Sequence, residues 1–147
     1  MSRELAVVLT AATGGLIALQ APINSGLGRA IGTWQAAFLS FAIGTAALAM
    51  IAALAKGGLG QISEVRGVGW VYFTGGLLGA AYITSVLVTV RYLGAGGVVA
   101  ATVAGQLAVG VAIDALGVLG VARQPVTAAK IAGIALLAAG TYLVVRE

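Results

Sequence analysis

Thr102, Gln106, Gly110 and Asp114 recur every four residues through an otherwise apolar stretch, so on a helix they fall along one side. A stripe of hydroxyl, amide and carboxyl groups in such a setting suits the wall of a solute or proton path. A carboxylate inside a bilayer costs about 3 kcal/mol. Water in a cavity, a partner cation or protonation of the acid must offset that cost. Asp114 stands well short of the end of its apolar run near Val121, which predicts a position within the hydrocarbon and a role in solute contact or proton linkage. The competing readings are a neutral Asp that ties helices together and one that lies nearer the surface.

Thr13, Gln20 and Asn24 are spaced by seven and four residues and share a second helix face, with Pro22 freeing a backbone carbonyl beside them. They make either a polar cavity wall or amides that bond across helices, at about 0.6 kcal/mol each. Trp34, Phe41 and Thr45, and then Thr74, Tyr82, Ser85 and Thr89, add aromatic and hydroxyl groups to two further runs. Aromatic walls with few polar groups suit organic ligands, and Trp34 and Tyr82 are the candidates, although each alone also fits a packing or interface role. Gly75 and Gly79 form a G-x-x-x-G pair, and Gly110, Gly117 and Gly133 are further small residues for close helix packing. Gly94 to Gly97 lacks the Lys-Ser/Thr ending and preceding strand of a phosphate loop and reads as a turn. With no Cys and no His, the chain has no thiolate, imidazole or usual zinc-site chemistry, so neither an enzyme, a metal nor a cofactor is expected.

The elements that hold these residues are dictated by solvent. Hydrophobic residues make up 61% of the 147 and charged residues 8%, which is a membrane composition. The apolar runs predict one all-α membrane domain over 1–147 with five transmembrane helices at about 5–27, 32–55, 70–90, 93–121 and 126–145, and a polar loop from Gly57 to Gly69. Barrel strands are excluded because the runs are continuous and do not alternate. The first run continues through Gln20, Pro22 and Asn24 without a signal-peptide cleavage site and reads as a span. The basic residues are scattered singly, which argues for membrane-edge anchors and against nucleic acid. Arg3, Lys56, Arg66, Arg123 and Lys130 fall on the N-terminal side and Arg29, Arg91 and Arg146 on the other. That weak bias permits insertion in both orientations.

Gln20-x-x-x-Asn24, Ser40-Phe41-x-x-Gly44-Thr45, Trp70 followed by Gly75-Gly76-Leu77-Leu78-Gly79, and Gly105-Gln106 followed by Asp114-x-x-Gly117 together resemble the YdcZ-type family of small inner-membrane proteins, within the drug/metabolite transporter superfamily. The resemblance runs from the first span to the fifth. It implies a bacterial inner-membrane half-transporter that pairs with an inverted copy, and it singles out Gln20, Asn24, Trp70, Gln106 and Asp114 as motif positions.

The expected function is transport of a small organic solute by alternating access in an antiparallel homodimer, with Asp114 as the candidate for proton linkage. The alternatives are a non-transporting membrane partner subunit and translocation of a lipid-type substrate.

Overall fold

The computed structural model describes residues 2–56 and 58–146, and Gly57, where the predicted loop begins, lies outside them. No strand occurs among the described residues. Helix α1 (Arg3–Ile31) starts where the Ser2 hydroxyl accepts the Leu5 N–H at 3.2 Å. At about 1.5 Å per residue its 29 residues exceed the roughly 30 Å hydrocarbon core. Pro22, expected to free a backbone carbonyl, sits inside an unbroken helix. Gly32 ends α1 with φ 97°, a value that disfavours any side chain, and α2 (Thr33–Leu54) begins at the next residue. Exposed 3₁₀ turns over Gly58–Gly67 and Trp70–Phe73 lead into α3 (Thr74–Leu116), and α4 (Ala128–Val145) follows.

Segments three and four, expected as separate spans with a turn at Gly94 to Gly97, are two helices that meet at a kink at Gly94 within the stretch named α3. Gly94 alone leaves helical geometry, with φ 67° and ψ 172°, while Gly96 and Gly97 remain helical. The helix ends at Leu116, earlier than the apolar run suggests, because Gly117, Leu119 and Gly120 all have positive φ. The resulting architecture is all-α, with helices long and apolar enough to cross a membrane and most of their surface exposed.

The chain divides into two compact units, Met1–Arg91 and Tyr92–Glu147. In unit 1, α1 and α2 run antiparallel from the Gly32 turn and pack with the start of α3 around Ala36, Ala37, Ile83 and Leu87, with Leu27 against them. Burial in α1 is confined to Ala21, Asn24, Ser25 and Gly28, and in α2 to Ala36 and Ala37, all in the halves nearest Gly32. Small residues meet here: a Cβ on Gly28 would make ordinary contacts, 3.7 Å from Ala36 Cβ and 3.6 Å from Leu87 Cδ2. On α3, a Cβ on Gly79 would meet the Phe41 ring at 3.5 Å.

Unit 2 is a helical hairpin of residues 92–116 of α3 against α4. At one end the Thr141 hydroxyl bonds the carbonyl of Ala100 at 3.0 Å and that of Leu137 at 2.8 Å. Nearby, a Cβ on Gly97 would stand 3.4 Å from Val145 Cγ2. At the turn, the Gln124 N–H donates to the Asp114 carbonyl at 2.8 Å and Arg123 Nε to that of Ala115 at 2.9 Å. These donors satisfy carbonyls that the end of α3 would otherwise leave bare, and the Arg123 charge suits that negative helix end. Thr127 caps α4 by accepting the Lys130 N–H at 3.3 Å.

Candidate functional site

In unit 1 a groove of about 660 Å³ runs between Trp34 of α2 and a face of α3. Trp34, 73% exposed, forms one wall, and Ala80, Ala81, Thr84, Ser85, Val88 and Thr89 form the other. Two turns of small residues on α3 leave the space that the indole overhangs. The Thr84 and Ser85 hydroxyls each donate to the carbonyl four residues back, Ala80 and Ala81, at 2.8 Å, which leaves their oxygens able to accept. An aromatic wall opposite hydroxyl acceptors has the chemistry of an organic-ligand pocket: apolar area with a few polar groups.

Tyr82 does not line this groove and is 37% exposed elsewhere on α3. Gln20 is exposed in a shallow recess whose other walls, Leu16, Ile17, Leu19 and Ile23, all belong to α1. Asn24, four residues on, is 6% exposed and its Nδ2 has no hydrogen-bond partner. The two amides therefore lie on either side of the edge of one packing face. Each step of four residues rotates about 40° around a helix.

The same drift separates the stripe on α3, which turns by about 120° from Thr102 to Asp114. Thr102, Gly110 and Asp114 are half-buried, whereas Gln106 is exposed. Asp114 pairs with Lys130 at 3.8 Å, the one ion pair among the described residues. It lies in the last turn of α3, closer to the span's end than its place in the apolar run implied. A carboxylate at a helix C-terminus and an ammonium in the first turn of the next helix are each placed against the helix dipole, and pairing them offsets both penalties. Lys130, counted above among the basic residues of the N-terminal side, is thus a partner cation for Asp114.

Among the glycines assigned to packing, Gly79 meets Phe41, while Gly75, Gly110 and Gly133 would have open space around a Cβ. Gly117 serves the turn, with φ 64° and Arg123 Cβ at 2.9 Å from its would-be Cβ. Gly28 and Gly97, at which helices do close, were not singled out from sequence. The repeat Asn24-x-x-x-Gly28-x-x-x-Gly32 was the available signal for the first.

Long apolar helices with lipid-facing surfaces and internal polar ties define a multi-pass integral membrane protein. A family model described as "Putative inner membrane exporter, YdcZ" matches residues 5–143, and the chain belongs to that family. It is accordingly an inner-membrane protein of a transporter family, not of an enzyme family. No curated protein and no solved structure matches the chain.

Proposed function

We propose that the chain is half of a small-solute transporter, and that two copies inserted in opposite orientations enclose a path near the bilayer midplane and work by alternating access. The observation that carries this reading is the placement of two amides. Gln20 and Gln106 stand near the middle of their helical stretches and are exposed on the single chain. Hydrocarbon cannot hydrogen-bond them, so a lone copy would leave both unsatisfied in lipid. A second copy, or water held between copies, supplies the missing partners. Open surface around Gly75, Gly110 and Gly133 leaves room for close approach of another helix.

Two inverted copies of one chain have interchangeable roles. An inward-open dimer whose protomers swap conformations becomes its outward-open equivalent at the same energy. The groove beside Trp34 is the solute contact within each copy. Asp114 is the proton-linked group: its protonation would remove the charge facing Lys130 and release one tie of the hairpin turn that Arg123 also holds.

The chain has no cysteine, so an introduced one is unique. In an inverted pair a midplane residue can meet its own copy, whereas a residue at a span's end lies in the opposite leaflet from its copy. Gln106→Cys is expected to form a disulfide-linked dimer in membranes and Ala55→Cys is not. Efficient cross-linking of Ala55→Cys to itself would replace the inverted pair with a parallel one.

A further inference from the structure

We infer that the stretch between α2 and α3 is an in-plane membrane anchor, with Leu59, Ile62, Val65 and Val68 forming an apolar edge that lies in the headgroup layer of the bilayer. The inference goes beyond the transport reading and holds whichever way a second copy is inserted.

Composition makes this stretch a polar loop, but its apolar residues are not scattered. Leu59, Ile62, Val65 and Val68 recur every three residues. On an α-helix each such step drifts by about 60° and the residues spiral apart. On a 3₁₀-helix side chains at i and i+3 eclipse, so the same residues form one straight edge. The backbone has the second geometry. Gly58–Gly67 is a 3₁₀-helix, and the Val68 N–H donates to the Val65 carbonyl at 3.0 Å, which carries the three-residue step to the fourth side chain. Gly60, Ser63 and Arg66 fall along a second edge, and Gln61, Glu64 and Gly67 along a third. The product is a rod about 20 Å long with one apolar edge and two polar ones.

Nothing described in the chain covers the apolar edge. The Gly32 end of unit 1 closes on its own side chains, among them Arg91, whose Nη2 donates to Thr33 Oγ1 at 3.1 Å. At the other end every residue from 59 to 73 is exposed, with Ile62 at 62% and Leu59 at 47%. Ten residues are a long run for a 3₁₀-helix, whose hydrogen bonds are poorly aligned, and water offers its apolar edge no burial. A lipid boundary does. Spans α2 and α3 leave and re-enter the bilayer at this end, so the rod that joins them starts and finishes at the headgroup layer. Trp70 and Tyr72 follow it, both exposed and both of the residue types that gather in that layer. Lys56 before the rod and Arg66 on a polar edge suit the lipid phosphates there. An apolar edge turned toward acyl chains, with polar edges toward water, is the arrangement of an interfacial helix. Anchoring the rod fixes the depth at which α2 ends and α3 begins, the two helices that wall the groove beside Trp34.

The test uses the full chain, which has no cysteine, with a nitroxide spin label on a single cysteine placed in turn at each position from 59 to 68. Each variant is held in nanodiscs of phosphatidylcholine and phosphatidylglycerol. Power saturation reads collisions with oxygen, which concentrates in lipid, and with a water-soluble nickel chelate. The ratio of oxygen to nickel collisions is expected to peak at 59, 62, 65 and 68 and to drop at the positions between them. A flat profile, a profile with the α-helical period, or nickel contact at these four equal to that at Ser63→Cys overturns the proposal. Low contact with both reagents at the four also overturns it, because the edge is then covered by a second copy or another protein. A paired substitution tests the edge from the opposite direction. With the label at Leu59→Cys, Ile62→Glu should shift collisions from oxygen to nickel, whereas Ser63→Glu, on a polar edge, should not. Equal shifts, or no shift from Ile62→Glu, overturn the anchor. Should one labelled variant misfold by circular dichroism, the remaining positions still define the period of three.

Discussion

The two units are held together by different means. Unit 1 closes three helices over an apolar center of Ala36, Ala37, Ile83 and Leu87, with Gly28 beside it. Unit 2 has no buried residue in α4 and is tied by polar contacts: Asp114 to Lys130 at the turn and Thr141 to the Ala100 carbonyl toward the other end. In lipid, where apolar side chains gain little by leaving the solvent, packing must come from close fit and polar ties. Unit 1 rests mainly on the first, and unit 2 adds the second to a smaller apolar contact at Val98 and Val111. A hairpin held by polar ties leaves its apolar faces and Gln106 open to another chain, which is the property a half-transporter needs.

The sharpest way to break the contrast is at Leu87, which has no exposed surface. Leu87→Ala removes its contacts from the center of three helices and is expected to cost about 2 to 4 kcal/mol, read by unfolding in detergent. Loss below about 0.5 kcal/mol would mean that unit 1 is not packed as described. Next is the turn of unit 2. Because Asp114 and Lys130 are each about a third exposed, a double-mutant cycle with Asp114→Asn and Lys130→Met should give coupling of less than about 1 kcal/mol that shrinks with salt. Asp114→Asn should also abolish pH dependence of solute flux in proteoliposomes, and unchanged pH-driven flux would remove its proton-linked role. The smallest effect is expected at Thr141→Val, which deletes the hydroxyl bonded to Ala100 at a cost of about 0.6 kcal/mol.

Much of the architecture was legible because solvent imposes it. Apolar runs bounded by Arg29, Lys56 and Arg91 mark spans by length and charge alone, and Gly32 marks the turn between the first two. The start of α4 at Ala128 is close to the predicted one because Arg123, Gln124 and Pro125 interrupt the apolar run just before it. The end of α3 was not legible, since Val118, Leu119 and Val121 are as apolar as the helix before them. Only backbone conformation at Gly117, Leu119 and Gly120 stops the helix. The same limit applies to the site. Residue type marked Trp34, Asn24 and Asp114, but Lys130 as partner to Asp114 and Arg91 as partner to Thr33 depend on which helices turn toward each other, which spacing along one helix does not encode.

The central claim is that identical copies insert in opposite senses. It is tested most directly by placing single cysteines at Ser2 and at Arg146 in separate variants and labelling intact cells with a membrane-impermeant maleimide, before and after permeabilisation. The account predicts that each position is labelled in part from outside and to completion only once the membrane is opened. Labelling of either position entirely from one side would contradict it.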